Sequence, residues 1–173
     1  METLLTLTEQ DINPDAPEVD TSAFAKRAAA RGVVFSQAGE VYLLHVTKHG
    51  YHKLPGGGAD EGESWVDAMK RECLEEIGCS VEITAELGQI IEYRDQFQLI
   101  QTSYCYLARQ VGEQGPSALE KGELAEGFEE AKAKNIEDAI RILEQDTPDN
   151  YEGRFIKIRD LVILKAALEL ART

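Results

Sequence analysis

The stretch from Gly56 to Cys79, GGGADEGESWVDAMKRECLEEIGC, constrains the chain more than any other. It follows Leu54-Pro55 and opens on three glycines, a turn in which the backbone can pass close to a ligand. Ser64 predicts a helix N-cap, with Asp67 three residues on as the acidic partner of a capping box. From Trp65 the pattern is helical. Val66, Met69, Cys73 and Ile77 recur at spacings of three and four and make one apolar stripe. Gly78 stands where such a helix stops in a left-handed turn.

The opposite face of that helix carries acids. Glu72, Glu75 and Glu76 are three and four apart and share one patch of helix surface. Like charges so close repel, which is a poor choice for stability alone. Arg71 can pair with Glu75 and with Asp67 but cannot neutralise the group. A solvated acidic face is the plain alternative. The glycine turn, Glu63 and Arg71 stand in one frame with the acids, and this points instead to a hard divalent cation. Mg²⁺ or Mn²⁺ takes carboxylate and carbonyl oxygens and works together with substrate phosphates.

This segment resembles the signature of the Nudix hydrolases. That signature is a Gly, five residues, a Glu, seven residues, then Arg-Glu-U-x-Glu-Glu-x-Gly-U, with U a bulky apolar residue. Gly57, Glu63, Arg71, Glu72, Glu75, Glu76 and Gly78 occupy its charged and glycine positions. Cys73 and Cys79 stand at two U positions where Ile, Leu or Val is usual, and a cysteine can still face a core.

The resemblance implies an α/β/α sandwich around a mixed sheet, over about residues 31–143. It also implies hydrolysis of a nucleoside diphosphate linked to another moiety, by water assisted by Mg²⁺ or Mn²⁺. Its metal ligands would be Glu72, Glu75, Glu76 and the Gly56 carbonyl. Gly57, Glu63, Arg71 and Gly78 would support the site. The catalytic base would be Glu72 or a glutamate of a later loop, where Glu120, Glu123 and Glu126 are candidates. Nearness to Phe128 favours Glu126, with Glu123 next. A proline about sixteen residues past the box, typical of ADP-ribose enzymes in the family, is replaced by Asp95, which leaves a nucleoside triphosphate or a general Nudix substrate. The alternative is a Nudix-fold nucleotide-binding or regulatory module without turnover. The retained, mutually repelling acids speak against that.

The remaining sequence sets the frame. A chain of 173 residues suits one domain, read as a polar arm over 1–25 and a single domain over 26–173. A net charge of −14 argues against nucleic acid polymers and anionic membranes as partners. An odd total of three cysteines without a CxxC pair suits a reducing cytosol. The N-terminus lacks the basic and apolar regions of a signal peptide, and no run approaches the ~20 apolar residues of a membrane span. A cytoplasmic protein acting on a small nucleotide derivative is expected, with a homodimer as one option for its assembly.

His52, Lys53 and Arg94 are candidates for substrate contact, whereas His45 reads as a packed strand residue. Trp65, Tyr104 and Tyr106 read as packing residues. In chain order, residues 1–20 predict a loose arm or an edge strand. Strands are expected over 31–35, 41–46, 51–54, 81–93, 96–109 and 128–133, with a turn at Arg94-Asp95. Residues 112–127 form a loop long enough to suspect function. Asn135 caps a helix to about Gln145. A last helix, from Arg154 to about Leu170, is expected to bury Phe155, Ile158, Val162 and Ala166.

Overall fold

The computed structural model describes residues 1–172. Seven strands form one mixed sheet: β1 (Thr3–Leu7), β2 (Ala25–Phe35), β3 (Val41–Val46), β4 (Tyr51–Lys53), β5 (Ser80–Arg94), β6 (Leu99–Val111) and β7 (Phe128–Ala133). The helices are α1 (Glu9–Ile12), α2 (Trp65–Ile77), α3 (Lys121–Ala125), α4 (Ile136–Gln145) and α5 (Tyr151–Arg172). The strand order is β1-β5-β6-β2-β3-β4, and β7 pairs with β3 off that path. β1 runs parallel to β5 and β2 parallel to β6, while β5 and β6 form a long antiparallel hairpin.

Helices cover both faces, which is the α/β/α sandwich expected. On one face α2 places Ala68, Met69, Cys73 and Ile77 against Ala30, Val34, Tyr42, Leu44 and Tyr106. Both Cys73 and Cys79 are fully buried and free, so the thiols fill the apolar positions. On the other face α4 and α5 bring Ala139, Leu143, Ile163, Leu164 and Ala167 against Val33, Leu43, Ile90 and Cys105. No helix among the described residues is long and apolar enough to cross a membrane.

Several expectations shift. Thr3–Leu7 is an edge strand of this chain's own sheet, paired to β5 and with Leu7 buried, so part of the N-terminal arm belongs to the fold. β2 starts at Ala25, six residues early, because its alanines lie where the glycine loop crosses. Ala30 N donates to Gly57 O at 2.9 Å, and Ala29 bridges Gly58. Larger side chains would hold that loop off. The hairpin turn falls over Asp95–Phe97 as one turn of 3₁₀ helix, with Gln98 in the left-handed region at φ 48°.

In α5 the buried face is rotated from the expected one. Phe155 is buried as expected, but Ile158, Val162 and Ala166 are only half-buried, and Ile156, Arg159, Asp160, Ile163 and Leu164 face the core. Hydropathy assigns an Arg-Asp pair to solvent. Here both are fully buried, with Arg159 Nε donating to Asp160 Oδ1 at 2.7 Å. Asp160 Oδ2 also accepts from Leu54 N at 2.7 Å, so the ion pair fixes the start of the glycine loop.

Candidate active site

Local sequence sets α2 as expected. Ser64 Oγ accepts from Asp67 N at 3.1 Å and donates to Asp67 Oδ2 at 2.6 Å, and Gly78 closes the helix at φ 64°. Glu72 and Glu76 then turn inward beneath the glycine loop, exposed by only 9% and 2%. Gly56 sits at φ 133°, and a Cβ there would lie 2.1 Å from Ala30 O, so only glycine fits. Its N–H donates to Glu76 Oε2 at 2.6 Å, and its carbonyl accepts from Arg31 Nη1. Burial lowers Arg31 to about 10, which leaves it charged at neutral pH. A Cβ on Gly57 would strike the Glu72 carboxylate at 2.5 Å.

Arg71 clamps the frame. It donates to Glu63 at 3.0 and 2.9 Å, to Gly58 O at 2.7 Å, to Glu72 Oε1 at 2.9 Å and to Glu75 Oε2 at 3.1 Å. Glu63 also accepts from Asp60 N at 2.9 Å, and Arg71 holds its carboxyl below the usual range. Glu63 and Arg71 therefore brace loop against helix. Arg71 Nη1 thus joins Glu72 to Glu75, and Glu75 lies outside the carboxylate cluster that Glu72 and Glu76 form.

A third carboxylate comes from elsewhere. Oxygens of Glu72, Glu76 and Glu123 lie within 4.8 Å of one another, a donor set suited to a hard cation. Glu123 reaches the cluster from α3, while its Oε2 accepts from Glu120 N at 2.7 Å. Burial and the neighbouring charge of Glu76 raise the Glu72 carboxyl. Burial, and more weakly Glu76, raise that of Glu123. Lys53 Nζ meets Glu76 Oε1 at 2.7 Å and lies 4.6 Å above the Phe128 ring.

These groups line an open cleft of about 450 Å³. Glu126 lies on its rim and is held by Lys48 and His49, each at 2.8 Å, with Lys48 the main cause of its lowered carboxyl. Of the three substrate-contact candidates only Lys53 lines the cleft. Strand alternation turns His52 away, toward Asp146 at 3.0 Å, with its ring stacked on His45. Arg94 is buried between Glu92 and Glu152, each at 2.8 Å. Trp65 stacks on Tyr104 with ring centroids 4.7 Å apart.

Sequence reasoning passed over Arg27, Arg31, Tyr51 and Glu152, which also line the cleft. Alternation along β2 was the available signal for the two arginines, which share a face with Ala29. Nothing local marks Glu152.

The sandwich and the braced carboxylate loop define an α/β protein organised around a Nudix box. A family model of the NUDIX domain matches residues 25–152, and the chain belongs to the Nudix family. Over 56 residues it is 55% identical to an RNA pyrophosphohydrolase of Sulfurovum sp. (strain NBC37-1), a match spanning 31% of this chain and 36% of that relative. An ADP-ribose pyrophosphatase from Streptococcus suis 89-1591 shares the fold with a TM-score of 0.51 at 21% identity, covering 82% of this chain and 91% of that one. A UDP-X diphosphatase does so with a TM-score of 0.56 at 14% identity, covering 92% and 69%. A NUDIX hydrolase from Nitrosomonas europaea gives 0.57 at 16% identity, covering 78% and 89%.

Proposed function

We propose that the protein is a divalent-cation-dependent pyrophosphohydrolase that cleaves the diphosphate bridge of a nucleoside diphosphate derivative. The observation that carries this reading is the convergence of Glu72, Glu76 and Glu123 beneath the glycine loop, in a cleft open to a small ligand. Three crowded carboxylates, two of them buried, are costly unless a cation completes them.

The donor set fits Mg²⁺ or Mn²⁺. Glu72 and Glu76 would hold the ion, with Glu123 facing them, the Gly56 carbonyl at the loop and Glu75 an outer candidate now engaged by Arg71. When bound, such an ion neutralises nonbridging phosphate oxygens and makes water a better nucleophile. The chain's own groups supply the rest. Lys53 neutralises Glu76 and leaves an ammonium at the cleft wall. Arg71 keeps Glu72 at a set distance from the loop. Glu123, with its raised carboxyl, is better suited than Glu126 to accept a proton from the attacking water.

A panel of ADP-ribose, a UDP-sugar, a nucleoside triphosphate and an RNA tests the reading, with phosphate, pyrophosphate and nucleotide products resolved. Turnover is expected with Mg²⁺ or Mn²⁺ and none in EDTA, with small nucleotides preferred to RNA given the net charge of −14. Glu76→Gln should cost roughly 100-fold or more in kcat, beyond the loss typical of groups that only orient a ligand. Full activity in that variant would remove the site assigned here.

A further inference from the structure

Four cationic side chains line the cleft, Arg27, Arg31, Lys53 and Arg71, among seven carboxylates. Three of them are committed. Arg31 holds the Gly56 carbonyl, Lys53 pairs with Glu76, and Arg71 spans Glu63, Glu72 and Glu75. The Arg27 side chain makes no hydrogen bond or ion pair among the described residues, although carboxylates surround the cleft. Its side chain lies against the glycine loop, with Nη2 3.2 Å from the point a Cβ on Gly58 would occupy. A side chain at position 58 would crowd the guanidinium there.

The position is set by the strand. Arg27, Ala29 and Arg31 alternate on one face of β2, so Arg27 stands four residues, roughly 13 Å, outward from the arginine that holds Gly56. A polyanionic ligand entering this acidic cleft would have to break an ion pair of Lys53 or Arg71, or compete with the Gly56 carbonyl for Arg31, to use any other cation. Arg27 is available without that loss, and its planar fork matches two oxygens of a phosphate. Arg27 is exposed at the cleft, so a ligand entering from solvent reaches it directly.

We infer that Arg27 is a phosphate-binding residue, which takes an oxyanion of the nucleotide outside the carboxylate cluster and so sets preference for substrates that carry charge there. Naming the ligand as a nucleotide rests on the hydrolase reading above; the placement of the free cation does not.

Calorimetric titration of the full chain with ADP, in Mg²⁺ and in EDTA, gives a readout independent of turnover. Arg27→Ala is expected to weaken ADP binding about tenfold and to raise KM for the best substrate by a similar factor, the usual scale for one charged hydrogen-bonding group. Arg27→Lys should recover part of that loss. Lys26→Ala removes the same charge from the next residue, which is exposed and outside the cleft lining, and should change neither quantity. If the Arg27 and Lys26 variants titrate alike, or if ADP does not bind the unaltered chain, the inference is overturned. Turnover whose KM ignores Arg27 would reject this subsite and leave the hydrolase standing. Arg27-dependent ADP binding without turnover on any substrate would do the reverse.

Discussion

Glu72 shows how a single side chain couples chemistry to stability. Its carboxyl is raised above the ordinary 4.5 by burial first and by the charge of Glu76 second, against the pull of Arg71. Between 4.5 and that raised value the folded chain binds a proton that the unfolded chain has released. Stability of the metal-free protein therefore falls as pH rises through that window, and the loss is complete above the raised value. Glu123 is shifted the same way and adds to the slope. Carboxyls held low, such as Glu63 and Glu126, act only below 4.5, where stability falls as pH drops. Thermal melts in EDTA from pH 5 to 7 should thus show a declining midpoint, with Glu72→Gln flatter and higher at pH 7, and Mg²⁺ should lift the unaltered protein. A midpoint for Glu72→Gln below that of the unaltered chain at pH 7 would contradict this account. Glu75 is the poorer choice for such a test, because it is more exposed than Glu72 and lies outside the carboxylate cluster.

At the scale of elements, the short helix α3 decides which glutamate reaches the cluster. Sequence distance to Phe128 favours Glu126, but that residue ends the helix and is anchored to the β3–β4 turn by Lys48 and His49. Glu123 lies one helical turn earlier and projects inward, fixed by its bond to the Glu120 amide. The anchor and the proposed base are thus separate residues, Glu126 at the C-cap and Glu123 within the helix. Glu123→Gln should lower kcat about 100-fold, the lower range for loss of a general base. Glu126→Gln should lower it only a few-fold, since an exposed ion pair contributes about 0–1 kcal/mol to holding the helix. Steady-state kinetics of the two variants with one substrate decides between them, and the opposite order would return the base to Glu126.

Across the whole molecule, a layer of buried charge lies beneath the site. Glu92, Arg94, Arg159 and Asp160 are each at most 2% exposed, and they join β5 and α5 to the glycine loop through Leu54. Gln101 donates to Glu92 at 3.0 Å and completes the layer from β6. Removing one partner leaves the others charged and unpaired in the interior. Asp160→Ala should therefore cost about 3–5 kcal/mol, read as a lower denaturant midpoint, and should loosen the loop that presents Gly56. An unchanged midpoint would show that Arg159 finds another partner.

What this chain could disclose by itself was whatever depends on neighbours three to six residues away. The cap at Ser64, the stripe through Met69, Cys73 and Ile77, the stop at Gly78, strand β7 and the cap at Asn135 are all of that kind. The inward pair Glu72 and Glu76 follows from the same helical spacing. Contacts between distant segments decided the remainder. The rotated face of α5 depends on Arg159 meeting Glu92 and Asp160 in the core; the loss of His52 and Arg94 from the cleft depends on Asp146, Glu92 and Glu152. Glu123 enters the cluster because α3 carries it to Glu72 and Glu76 from far along the chain. Local pattern records how each residue relates to its own helix or strand, whereas a buried charge is placed by its partner, and that partner lies far along the chain.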